Sequence, residues 1–140
     1  ASLKKLIRAA SSPKLKKAFE THLDQTQKQQ ERLEKVFEKL DQKPGRQKCK
    51  AMEGLVEEAA EIIKEEAEPS VKDAALIASA QRAEHYEISG YGTARSIAQL
   101  LGMDDVAQLL QRTLDEEGQT DELLNKLAMS EINVEAVSHA

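Results

Sequence analysis

Apolar residues in this chain recur at alternating spacings of three and four over long runs, a period that belongs to α-helix. Between Val71 and Leu101 the stripe is Ile77, Ala80, Glu84, Glu87, Tyr91, Ala94, Ala98 and Leu101. The next stripe is Val106, Leu110, Thr113, Glu117, Thr120 or Asp121, Leu124 and Leu127. Each carries carboxylates about halfway along an otherwise apolar row. Burying several unpaired anions costs more than a small core can offset, so these acids must be protonated, paired with bases, solvated or bound to a cation. In helical bundles the last arrangement takes a known form, in which inward Glu and His side chains from facing helices hold a pair of iron or manganese ions.

At 140 residues, with six Gly and three Pro, the chain is expected to be one all-α domain spanning 1–140. The net charge is −5 and only 3% of residues are aromatic. Such a chain lacks both the phosphate-neutralising field and the stacking platform of a nucleic-acid binder. Cys49 is the single cysteine, so no internal disulfide can form. No run approaches a membrane span, and no apolar signal-peptide core is present, so a soluble, cytoplasmic protein is expected.

Punctuation divides the stripes into helices. Residues 1–10 read as the end of a helix with Leu3, Leu6, Ile7 and Ala10 on one face, stopped by Ser11-Ser12-Pro13, where Ser12 is the expected N-cap of the next. Helix two is expected over about 12–40, with the seam Phe19, Leu23, Thr26, Gln30, Leu33, Phe37 and Leu40. Helix three is expected over about 47–67, with Met52, Leu55, Val56, Ala59, Ile62 and Ile63 inward. Ser70 and Asp73 form a capping-box pattern at the start of helix four, which runs over about 71–101 to a C-cap at Gly102. Asp104 is the expected cap of helix five, over about 105–129. Residues 130–140 are weakly patterned and are expected to fray or lie on the surface. Gly90 and Gly92 conflict with a helix interior, where each costs about 1 kcal/mol relative to Ala. Close helix–helix contact is the plainer explanation for them, and a local widening of the helix beside the acids is the sharper one.

Glu84, Glu87 and Glu117 are the leading candidates for a metal or proton site, because each lies on its helix's inward seam. Asp121 and Thr120 compete for one inward slot. His22 borders the helix-two seam and is a further candidate ligand, whereas His85 and His139 are expected on the surface. Tyr91, one turn from Glu87, is expected either to pack or to donate a hydrogen bond to a carboxylate. Oxygen-rich ligands with one imidazole suit iron or manganese. Nothing in the sequence supports a phosphate loop, a zinc spacing or a Ser/His/Asp arrangement.

Several segments together carry a resemblance: Ala9-Ala10-Ser11-Ser12-Pro13, Ala18-Phe19-Glu20-Thr21-His22-Leu23, Lys48 to Leu55, Asp73-Ala74-Ala75-Leu76-Ile77, Glu84-His85-Tyr86-Glu87 and Ser89-Gly90-Tyr91-Gly92-Thr93. Through them the chain resembles the YciF/YciE-type stress-associated proteins of the ferritin-like superfamily, nearer the YciF branch. The resemblance implies a ferritin-like four-helix bundle with an extra helix in the crossover, here helix three, and a homodimer. It also implies a longer first helix bearing a metal-facing Glu, which nothing before Ala1 supplies, so the seams near the acids are expected to be incompletely covered. A second departure is in helix two, where the family commonly reads His-Leu-Glu-Glu-Thr and this chain reads His22-Leu23-Asp24-Gln25-Thr26. The functional expectation is a stress-associated bundle with a carboxylate di-metal site, the alternative being a non-catalytic helical dimerisation protein with a metal-free polar layer.

Overall fold

The computed structural model describes residues 2–139, and Ala1 and Ala140, included above in the domain and its tail, lie outside them. The helices are α1 (Ser2–Ala9), α2 (Pro13–Lys39), α3 (Lys50–Lys64), α4 (Pro69–Leu100), α5 (Asp104–Leu127) and α6 (Asn133–Ser138), with a π-helical turn, Ala128–Ile132, joining α5 to α6. No strand occurs among the described residues. Three long helices, α2, α4 and α5, form the frame, with α5 packed against both others. The short α1 lies on α2, and α3 lies against α1 and α4.

Two apolar clusters fill this frame. The larger draws on every helix except α6 and includes Leu6, Leu15, Phe19, Ala59, Ile77 and Leu124. The smaller comes from α2, α4 and α5 and the turn between the last two, with Val36, Ala98, Val106 and Leu110 at its centre. Between the two along α2, α4 and α5 sit the buried polar residues His22, Gln29, Glu84, Thr113, Glu117 and Thr120. The frame is therefore apolar at both ends and polar in its middle.

The stripe expected for α5 is buried at every position, with Thr120 rather than Asp121 in the disputed slot. On α4 the lower stripe is buried or half-buried, but Ala94 and Leu101 are exposed. The α2 seam differs. Gln30 and Leu40 are exposed, whereas Leu15, Ala18, Phe19, His22, Gln29 and Val36 are buried. A seam chosen to maximise apolar residues is rotated away from the true one, because His22 and Gln29 turn inward to meet the acids of the facing helices. On α3 only Ala59 is fully buried, and Val56 is exposed.

Local chemistry explains most of the boundaries. Ser12 caps α2 by accepting the Leu15 N–H, with Pro13 in the first turn. Gly102, at φ +70°, ends α4 in a Schellman arrangement: its own N–H reaches Gln99 and that of Met103 reaches Ala98. The capping box at Ser70 and Asp73 is not formed. Pro69 already starts α4, and the buried Asp73 carboxylate accepts the N–H groups of Ser11 at 2.8 Å and Ser12 at 2.7 Å. Asp104 is the first residue of α5 rather than its cap, and Asp105 accepts the Val106 N–H. Helix three is shorter than expected at both ends: Arg46 to Cys49 lie outside the helix, which begins where the Cys49 sulfur accepts the Met52 N–H, and it ends at Lys64.

Of the two expectations for the C-terminal stretch, the structure shows the second: it is helical rather than frayed, and apart from Ile132 and the half-buried Ala136 its described residues lie on the surface. The helix continues through the π-turn, Ile132 is buried in the larger cluster, Glu131 pairs with Lys14, and α6 packs against α4. Neither glycine expectation is met. A Cβ added at Gly90 or Gly92 would meet nothing within 4 Å, and α4 is regular α-helix through both.

Candidate metal centre

α4 presents Glu84 and Glu87 one turn apart, α5 presents Glu117 and α2 presents His22. One ligand atom from each of these four residues lies within 4.8 Å of the other three. Ligand bonds of about 2.0–2.6 Å place opposite donors about 4–5 Å apart, so the four atoms can share one cation. His22 Nε2 is 2.7 Å from Glu84 Oε1. Glu84 Oε2 and both Glu117 oxygens are buried with no hydrogen-bond partner among the described residues. Buried carboxylate oxygens left unpartnered are costly, and an ion held by one atom from each residue would offset part of that cost. The donor set thus fits a metal ion.

The same desolvation governs their titration. Burial pushes Glu117 up to about 8, with the adjacent Glu84 adding to the effect. Burial raises Glu84 to about 7, opposed by its contact with Glu117 and reinforced by the charges of Glu87 and Asp121. Glu87 is likewise raised to about 7 by burial and by Glu117. Near neutral pH, then, the acids hold protons that a cation would displace.

Beside them lies a contrasting carboxylate. Arg32 pairs with Glu116 through both guanidinium NH₂ groups, at 3.1 and 2.8 Å, and also donates to Thr113 at 2.8 Å, while Gln29 donates to Glu116. Burial pushes Glu116 up, but the hydrogen bonds from Arg32 and Gln29 outweigh it and hold the group below its ordinary value. Adjacent residues are in this way driven in opposite directions, one paired with a base and one unpaired.

Of the sequence candidates, the structure brings together His22, Glu84, Glu87 and Glu117. Asp121 stands outside the group: its side chain accepts from Gln81 at 3.0 Å and pairs with His85 at 3.0 Å. The physical reason is rotational, since Thr120 takes the inward slot and leaves the next residue turned to the rim. His85 and His139 are exposed, as expected. Tyr91 packs against the smaller apolar cluster. Burial, with Glu87 and Glu117 nearby, pushes its hydroxyl up to about 12. The Arg32–Glu116 pair was not anticipated. Its signal was the polar series His22, Gln25 or Thr26, Gln29 and Arg32 on α2, spaced by three and four like the acid stripes it faces.

A cavity of about 130 Å³ opens beside the acids, between α1, α2, α3 and α4. Glu84, Glu87 and His22 border it, and its walls include Leu3, Leu6 and Met52. The acids are nonetheless covered: His22, Glu84 and Glu117 are buried and only Glu87 is half-buried, because α1 and α3 lie over this side.

Residues 1–137 match the model of the family described as "Domain of unknown function (DUF892)". The chain belongs to this family. It is 48% identical to Protein YciF of Escherichia coli (strain K12) over 140 residues, covering 99% of this chain and 84% of that protein. The crystal structure of the E. coli stress protein YciF superposes with a TM-score of 0.90 at 49% identity, covering 94% of this chain and 84% of that one. YcfI from Rhodopseudomonas palustris, described as a candidate structural protein, superposes with a TM-score of 0.84 at 45% identity, covering 89% and 79%. The all-helical bundle is thus shared with homologous solved structures. No described helix is long and apolar enough to cross a membrane.

Proposed function

We propose that this chain is a stress-associated bundle of ferritin-like type whose polar middle binds iron or manganese through Glu84, Glu87, Glu117 and His22. The observation that carries this reading is Glu117, fully buried with both oxygens unpartnered in a group of four donors that a single ion can span. Mixed carboxylate and imidazole donors suit those metals. A bundle di-metal site of the Glu and Glu-x-x-His type uses four acids and two histidines. Here Glu84 and Glu87 keep the i, i+3 spacing without a histidine, and Thr120 stands three residues after Glu117. Three acids and one imidazole complete the coordination of one ion more readily than two. When bound, the metal would supply Lewis acidity and redox capacity. The chain's own residues hold its ligand oxygens in a largely buried layer, and protons leave Glu84, Glu87 and Glu117 as the cation enters.

A second reading has its own support. His22 Nε2 and Glu84 Oε1 lie 2.7 Å apart and can hydrogen-bond directly, and protonation can neutralise the remaining acids, as in a metal-free polar layer of a helical dimerisation protein. Calorimetric titration with manganese, and with ferrous ion under anaerobic conditions, separates the two. Saturable binding that Glu117→Gln abolishes is the expected result. Absence of binding by the unaltered chain would transfer the case to the second reading.

A further inference from the structure

The cavity beside the acids is left by small residues on neighbouring helices. Ala59 of α3 and Ala80 and Ala83 of α4 line it, together with Leu3 and Leu6 of α1 and Met52 in the first turn of α3. An alanine offers only a methyl group, so α3 and α4 leave between them about 130 Å³ that no side chain fills. An engineered apolar cavity of about 150 Å³ stays dry and takes up benzene, so the space here suits a single six-membered ring. One edge of it is polar. Glu84 and Glu87 border it, and Glu84 has one oxygen 2.7 Å from His22 Nε2 and the other with no hydrogen-bond partner among the described residues. A hydroxyl group both donates and accepts, so it pairs with a carboxyl group in either state of protonation.

We propose that this cavity is a binding site for one small neutral molecule with an apolar ring and a single hydroxyl group, phenol being the simplest. The ring lies against Leu6, Met52 and the three alanines, and a thioether sulfur is a favourable neighbour for an aromatic ring. The hydroxyl meets the edge formed by Glu84 and Glu87. A charged molecule of the same size is disfavoured, because the apolar walls cannot replace the water that an ion gives up. The site goes beyond the metal reading and does not rest on it: its walls stand whether or not the acids hold a cation.

The test titrates the ¹⁵N-labelled full chain, with no metal added, with phenol and with toluene, its near-isostere without the hydroxyl. The expected result with phenol is a set of saturable amide shifts centred on α1, α3 and the middle of α4. Toluene should bind about tenfold more weakly, the difference that one hydrogen bond makes. A wholly apolar cavity gives the opposite order, since toluene leaves water more readily than phenol. Ala83→Leu, which fills the space from α4, should weaken phenol by about tenfold or more, whereas Leu100→Ala at the exposed end of α4 should leave it unchanged. Thermal unfolding checks that each variant folds, and Ala59→Val, a smaller change from the α3 side, keeps the test decisive should Ala83→Leu not fold. Shifts that do not saturate, toluene preferred to phenol, or undiminished phenol binding in a folded filled variant would overturn the proposal. Manganese titration of the same chain keeps the two sites apart: phenol binding without manganese binding would remove the metal reading and leave the cavity site, and the reverse would remove the cavity site alone.

Discussion

Asp73 shows how one side chain can serve a purpose that its local sequence disguises. Its spacing from Ser70 matches a capping box, yet the carboxylate crosses to the α1–α2 turn and takes two backbone N–H groups at the start of α2. Those donors have no helical partner of their own, and the positive end of the helix dipole favours an anion there. Asp73→Ala should cost about 1.5–3 kcal/mol in chemical denaturation, because it removes a buried, charged acceptor from two part-buried donors. Asp73→Asn, which keeps one accepting oxygen, should lose less. Equal midpoints for Asp73→Ala and the unaltered chain would show that the clamp adds nothing. Sequence alone could not reveal this contact, since a short-range pattern and a contact 62 residues distant use the same residue type.

At the scale of the helix, the legible part of the sequence was the part whose surroundings are uniform. The α5 stripe is enclosed by α2 on one side and α4 on the other, so its period translated directly into burial. On α2 the apolar residues compete with a polar row that is buried only because the acids of α4 and α5 attract it, and periodicity of hydrophobicity cannot register such a row. The burial of Ile132 was hidden by a π-turn, which breaks the 3.6-residue register between Leu127 and Ile132. The α4 glycines show the reverse, a helix-breaking signal with no structural counterpart inside the chain. With open space at both Cβ positions, Gly90→Ala and Gly92→Ala should each stabilise by up to about 1 kcal/mol, since alanine is the better helix former. Thermal unfolding checks this directly. A loss of stability in either variant would show that the helix there is not as regular, or as open, as described.

The whole molecule couples its stability to the state of its polar middle. In the unfolded chain Glu84, Glu87 and Glu117 titrate near the ordinary carboxylate value of about 4.5, whereas in the fold they are raised to about 7, 7 and 8. Groups with raised folded pKa values give full stability below about pH 4.5, where both states are protonated. That contribution falls as pH climbs to about 8, because the unfolded state gives up its protons first. Without metal, the melting temperature should therefore decline between about pH 5 and 8 by more than Glu117→Gln shows over the same range. Glu117→Gln should itself be the more stable chain near pH 8, having no anion to desolvate. A bound divalent ion reverses the slope: it prefers the deprotonated acids, so its affinity should rise with pH through 7 to 8 and its binding should release protons, measurable as a dependence of calorimetric enthalpy on buffer ionisation. These two slopes of opposite sign arise from the same three carboxylates. A flat metal-free profile in the unaltered chain would mean that water reaches the acids and that the middle of the bundle is not dry.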